Sequence, residues 1–214
     1  MTGAAPSGVL RAALNLNNAA LVHKAGDSYT GLAPDLARRI ADATGRQLRF
    51  VDYSNARAIV EDTAQAWDIA FLAIDPSRLD RLAFSKPYHR VEATFLVRAD
   101  QLASSCSEVL AGEDRIISAK GAAYHSPLAV EVGGDRLIVA ESPAEAAELF
   151  RQGHGDALAG IRETLGKAGQ ANRVLPDVFA RIEQAVAVPI GASDLMRQIE
   201  LCMQDFNACN RRMA

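Results

Sequence analysis

The residues best suited to chemistry gather in one stretch, LAIDPSRLDRLAFSKPYHRVEATFLVRAD, residues 72–100. An apolar strand runs into Asp75-Pro76, and one arginine, Arg78, follows at once. A guanidinium is a planar fork of fixed donors that grips a carboxylate through two parallel hydrogen bonds, more strongly where water is excluded. A helical turn beginning at Asp75 or Pro76 would add free backbone N–H groups to such an anion site. The same spacing equally allows a plain surface ion pair of Arg78 with Asp75 or Asp80. Arg81, Lys86, His89 and Arg90 read as solvated or lobe-contact charges, and Pro87-Tyr88 as the end of a turn and a packing ring.

Other candidates are weaker. Asn15, Asn17 and Asn18 follow the first apolar run; asparagine offers a donor and an acceptor, to a ligand or to a turn alike. Tyr124 follows a glycine turn at Gly121, where ring and hydroxyl could line a cleft. His125 and His154 lack ligand partners at metal-binding spacing, so no metal is expected. There is no G-x-S-x-G, H-E-x-x-H, P-loop or G-x-G-x-x-G, and hence no nominated catalytic residue or cofactor. Cys202 and Cys209 stand seven apart on a predicted helix, about 10 Å along its axis and beyond disulfide reach.

These residues must be positioned by a chain of 214 residues, enough for one large domain or two small lobes. A net charge of −3 without a basic face excludes nucleic acid as the main partner. Apolar runs are of strand length, so no membrane span is expected. The start, MTGAAPSGVLRAALNLNN, has neither a basic n-region nor an apolar h-region, so no signal peptide is expected within this chain.

Periodicity predicts strands at 9–16, 46–53, 67–74 and 93–100, with helices at 31–45 and 56–66 between the first three. This β-α-β-α-β order predicts a parallel sheet covered by helices. The plan then restarts: strands at 114–120, 136–141 and 155–161 alternate with a glycine-led helix after 121 and a helix at 142–153. That last helix carries Ser142 as N-cap, Pro143 at its first position and Gly153 as its stop. An amphipathic helix at 193–213 needs a lobe to pack on. The expectation is α/β: two Rossmann-like lobes joined by a two-strand hinge, lobe 1 being 9–97 plus 188–214 and lobe 2 the inserted 98–187, with a ligand cleft between them.

The order and spacing of several short motifs resemble the amino-acid-type solute-binding proteins of ABC transporters, the type II periplasmic binding proteins. They are Gly31 with Asp35-Leu36-Ala37, Trp67-Asp68-Ile69, Pro76-x-Arg78, Phe84-Ser85-x-Pro87-Tyr88, the turn AKGAAYHSPL and the strand entry FRQGHGDALAG. The resemblance implies that Arg78 pairs with a ligand carboxylate and that Asp75, Ala73, Asn15, Asn17, Ala122, Tyr124 and Arg162 lie around the ligand. It implies a monomer that binds a small carboxylate or amino-acid-like solute by hinge closure, a periplasmic location and a possible ABC permease partner. The sequence also departs from the family's pattern. Ala73 and Ala122-Ala123 stand where small hydroxyl residues are usual, and Asp75 stands where threonine is usual. The acid that usually takes the ligand's ammonium gives way to Gly160-Ile161-Arg162-Glu163, leaving Glu163 as a displaced acid and Arg162 as a second positive group. A dehydratase of the cyclohexadienyl type, or a stand-alone ligand-sensing domain, is the alternative on the same fold.

Overall fold

The computed structural model describes residues 8–62, 64, 66–166 and 172–210. The chain divides into two compact units, Met1–His89 with Glu183–Ala214, and Arg90–Ile182. Both divisions fall earlier in the chain than the expected 97/98 and 187/188.

In the first unit β1 (Val9–Asn15) leads to a hairpin of β2 (His23–Ala25) and β3 (Ser28–Thr30), then α1 (Leu32–Thr44), β4 (Gln47–Tyr53), α2 (Ala56–Val60) and β5 (Ile69–Ala73). β1 pairs in parallel with β4 on one side and β5 on the other. All five residues of β5 are buried, as a strand covered on both faces requires. One layer of this core gathers Ala13, Ile59, Trp67, Ala70, Leu72, Leu82 and Ala187. The Trp67 indole donates to the Ile59 carbonyl, so its one polar atom is satisfied inside that layer.

α1 follows its sequence signals closely. Its apolar stripe, Ala33, Leu36, Ala37, Ile40 and Ala41, is buried, and Gly45 ends it in the left-handed conformation. Gly31 opens it at φ 111°, where a Cβ would lie 2.5 Å from the Leu21 carbonyl oxygen. α2 is shorter than the expected 56–66. The Asp62 carboxylate accepts from the backbone N–H groups of Ala64 and Ala66 and from the Tyr53 hydroxyl, and so turns the chain out of the helix. Residues 63 and 65 lie outside the described residues.

After β5 come a short 3-10 turn at Pro76–Arg78 and β6 (Leu82–Phe84). The strand expected at 93–100 is β7 (His89–Arg98), which begins four residues earlier than expected. It pairs antiparallel with β10 (Ala157–Ile161) and β11 (Asn172–Val174) of the second unit rather than extending the first parallel sheet. The place beside β5 goes to β12 (Ala180–Pro189), antiparallel to both β5 and β6. β12 returns late in the chain, in the segment where the second strand of the two-strand hinge was expected. α7 (Ser193–Asn210) then buries Leu195, Ile199 and Met203 and contacts α1. The expected apolar contact of Phe206, the side chain of Cys209 and residues 211–213 lie outside the described residues.

The second unit repeats the plan. α3 (Cys106–Ala111) precedes β8 (Ile116–Ala119), α4 (His125–Val132), β9 (Leu137–Ala140), α5 (Pro143–Arg151), β10 and α6 (Arg162–Leu165). β8 pairs in parallel with β9 and β10. Each unit therefore shows the order second-first-third strand, followed by an antiparallel strand: β12 in one, β7 in the other. Ser142 caps α5 by accepting from the Glu145 N–H, and the Glu145 carboxylate accepts from the Glu141 N–H, the reciprocal capping its sequence predicts. The core joins Leu96, Ile117, Phe150, Leu158 and Leu165.

One ion pair secures the start of the first unit's sheet. Arg11 donates to the Asp68 carboxylate from its backbone N–H and twice from its guanidinium, at 2.8, 3.1 and 2.7 Å. Burial pushes the Asp68 carboxyl up, but the Arg11 hydrogen bonds and charge outweigh it and leave the group below its ordinary value. A depressed carboxylate pKa contributes stability above its unfolded value, and that contribution disappears as pH falls through the folded value. Asp68→Asn is therefore expected to cost about 1–3 kcal/mol near neutral pH, and the gap to the native protein should close below about pH 4; urea titrations over a pH series would reveal a gap that persists in acid and so contradicts this account. Gly31→Ala is expected to lower stability by about 1–3 kcal/mol through its positive φ, and by more if the Leu21 backbone cannot yield; an unchanged melting temperature would show the turn to be more adaptable than its geometry implies.

Candidate ligand-binding site

β5 ends at Ala73 on the carboxyl edge of the first unit's parallel strands, where β1 also ends at Asn15 and β4 at Tyr53. Open α/β sheets place their ligands at this edge. Asp75 is in an extended conformation and caps the 3-10 turn, and Pro76 holds the turn's first position. Ser77 donates to Asp75 Oδ1 twice, from its N–H at 2.9 Å and its hydroxyl at 2.7 Å. These bonds fix both the turn and the carboxylate.

Arg78 folds back over this turn and is only 7 % exposed. Nη1 donates to the Ala73 carbonyl at 3.2 Å, and Nε lies 3.5 Å from Asp75 Oδ2, longer than a usual charged hydrogen bond. Among the described residues the remaining guanidinium donors meet no hydrogen-bond acceptor. Burial lowers the Arg78 pKa, with Asp75 opposing the shift, yet a guanidinium stays charged at any ordinary pH. The result is a buried cation with more donors than acceptors. The sequence left open whether Arg78 pairs with Asp75 or Asp80, and the structure selects Asp75.

The two asparagines serve the turn after β1. Asn15 Oδ1 accepts from the Asn17 N–H, and the Asn15 carbonyl accepts from the Asn18 N–H. Asn17 is exposed. Ala73, Asp75, Arg78, Asn15 and Asn17 thus share one edge of one unit. Beside them the Tyr53 hydroxyl donates to Asp62 at 2.5 Å; burial and that bond push the phenol up to about 12.

The other candidates lie on the second unit, at the carboxyl ends of β8 and β10. Ala122 packs against the apolar core, and its N–H closes a turn on the Ala119 carbonyl. Tyr124 is buried, its ring edge-on to Phe179, which stacks on Phe95; burial raises its phenol to about 12. Arg162 contrasts with Arg78. It donates to the carbonyls of Leu175, Pro176 and Asp177 and to the Glu92 carboxylate, at 2.9–3.1 Å. Its donors are engaged in holding the segment after β11. Asp156 accepts from the Arg115 N–H at the opposite, amino end of β10, as a turn residue does.

Three groups have surroundings that the sequence did not indicate. His125 Nδ1 lies 3.1 Å from the Ser118 hydroxyl. In the first unit the Tyr88 hydroxyl and Gln184 Oε1 are buried with no hydrogen-bond partner among the described residues. The clue to Gln184 was its alternation with the inward Ile182 and Val186. Among the described residues no cluster of His, Cys, Asp or Glu is arranged to hold a metal ion, and no helix is long and apolar enough to cross a membrane.

Comparison with solved structures shows the fold. The arginine-bound Gly52Ala mutant of ArgBP from T. maritima superposes with a TM-score of 0.77 at 17% identity, covering 92% of this chain and 95% of that one. The periplasmic VFT2 domain of BvgS from Bordetella pertussis gives 0.78 at 21% identity, covering 94% and 91%. The ancestral amino acid-binding protein AncCDT-1, a precursor of cyclohexadienyl dehydratase, gives 0.77 at 21% identity, covering 94% and 89%. All three share the two-lobed α/β architecture found here. A comparison with curated proteins finds no match. The sequence profile of one family spans residues 10–208, nearly the whole chain, and the chain belongs to that family, the bacterial extracellular solute-binding proteins, family 3.

Proposed function

We propose that this protein captures a small carboxylate-bearing, amino-acid-like solute, with Arg78 gripping the carboxylate and the two units closing on the ligand about the strands β7 and β12. The observation that carries this reading is the buried Arg78 guanidinium, which retains free donors at the carboxyl edge of a parallel sheet. Burying a cation without matching acceptors is costly, and a carboxylate would supply those acceptors. Hinge closure needs no chemistry: the ligand binds the closed form better and shifts the population toward it. A periplasmic location and delivery of the solute to an ABC permease fit a family of extracellular solute-binding proteins. Binding without turnover is favoured because Asp75, the acid beside Arg78, is held by Ser77 and faces the guanidinium. It is poorly placed to act as a general base.

The test is a thermal-shift screen against amino acids, keto acids, hydroxy acids and aromatic carboxylates, run on the native protein and on Arg78→Met. A compound at 100 times its dissociation constant should stabilise the native protein by about 2.7 kcal/mol, and Arg78→Met should show no shift with it. Without ligand, Arg78→Met is expected to be about 1 kcal/mol more stable than the native protein, because it fills similar volume without a buried, poorly matched charge. A carboxylate that stabilises both proteins equally would remove Arg78 from the site.

A further inference from the structure

We infer that Tyr88 and Gln184 are a positioning pair: in a second conformation of the solute-free protein their side chains hydrogen bond to each other, and that bond holds the chain back from the conformation in which Arg78 awaits a carboxylate. This rests on the reading that the units close about β7 and β12. The chain passes from one unit to the other after His89 and again after Ile182. Tyr88 and Gln184 lie within two residues of those points, both in the first unit. Their backbones are joined, because the Tyr88 N–H donates to the Gln184 carbonyl at 2.9 Å. The strand register sets Gln184 opposite Ala73 and Val186 opposite Phe71, so Gln184, Ala73 and Phe71 share one face of the sheet. The Tyr88 ring packs edge-on against Phe71 with centroids 6.0 Å apart, on that same face. The Tyr88 hydroxyl and Gln184 Oε1 are both buried there, and among the described residues neither has a hydrogen-bond partner.

A hydroxyl is a donor and an amide oxygen an acceptor, so one bond between them would satisfy both. Were side-chain rotation enough to form it, the bond would be present, because burying both groups unpaired is costly. Packing withholds it: the ring is held against Phe71, and Gln184 is only 4% exposed. Forming the bond therefore requires the strands to shift, at the points where the chain crosses between units. The same strand position adjoins the carboxylate grip. Ala73, opposite Gln184, supplies the carbonyl that accepts from Arg78 Nη1, and the next N–H, that of Ile74, donates to the Glu183 carbonyl. Three groups are thus left unsatisfied around one strand end: the Tyr88 hydroxyl, the Gln184 oxygen and the Arg78 guanidinium. Without solute, the Tyr88–Gln184 bond favours the other conformation; a carboxylate on Arg78 favours this one. A protein that is only fractionally in its binding-competent state binds more weakly by that fraction. The pair therefore tunes affinity without touching the solute.

The experiment has two arms, each run on the native protein, Tyr88→Phe, Gln184→Met and the double variant. Phenylalanine keeps the ring on Phe71, and methionine keeps the length of glutamine without its amide. The first arm needs no solute: NMR relaxation dispersion of the backbone amides at 88–91 and 182–185. The native protein is expected to show microsecond-to-millisecond exchange there, and each single variant to lose most of it. One bond is removed in every case, so the double variant should behave as either single variant does. The second arm is calorimetric titration with the common L-amino acids and their 2-keto acids. Any of these that binds the native protein should bind each variant about 3–10-fold more tightly, with no further gain in the double variant. A native protein without exchange, a Tyr88→Phe variant that keeps it, affinities that stay unchanged, or single-variant gains that add in the double variant each overturn the inference. If exchange responds as expected and none of these acids binds any of the four proteins, the pair stands as a conformational switch and only the carboxylate reading falls.

Discussion

The arrangement turns on one constraint: a guanidinium buried at the end of a fully buried strand, with fewer acceptors than donors. Taking a cation out of water costs several kcal/mol unless it is paired and hydrogen bonded. Arg78 has one carbonyl and one carboxylate at the edge of bonding distance. The surrounding features keep it there. β5 is covered on both faces, Pro76 sets the turn, and Asp75 is tied down by Ser77. A folded protein keeps such a group only if the rest of its core stabilises the local cost, and function is the usual reason.

Arg162, in the same chain, has a different set of partners. Three carbonyls and a carboxylate meet its donors, so it ties a loop to β10 and has little capacity left for a solute. The two arginines have the same chemistry and occupy comparable positions after the third parallel strand of their units. What separates them is the number of acceptors folded around each. Residue type alone therefore assigns neither role.

The units themselves are two copies of one plan, each completed by an antiparallel strand. Because β7 and β12 each run ten residues across a boundary between units, the chain links the units twice. Their burial patterns are the same, with a five-residue buried run in each. Near one boundary the Tyr88 N–H donates to the Gln184 carbonyl, while the Tyr88 hydroxyl and Gln184 Oε1 stay unpartnered. Unpaired polar atoms weaken a core locally, and here they lie beside the residues where the chain leaves one unit for the other.

The sequence by itself determined the local elements and the repeated plan. The stripe of α1 with Gly31 and Gly45 at its ends, the cap at Ser142, and the alternation of strands and helices all rest on interactions within a few residues, which periodicity and capping chemistry report directly. It also singled out Arg78, through the resemblance of the Pro76-x-Arg78 turn to the family's motif. Tertiary structure decided the partners. β12 had to return from residue 180 to occupy the edge of β5, so β7 pairs in the second unit instead. α2 stopped early because a carboxylate bonded to Tyr53, nine residues away, also captured the N–H groups that would have continued it. Whether Arg78 or Arg162 keeps free donors depends on which carbonyls and carboxylates the fold brings around each. Pairing across long sequence separations and the matching of donors to acceptors are properties of the packed chain, and no local spacing encodes them.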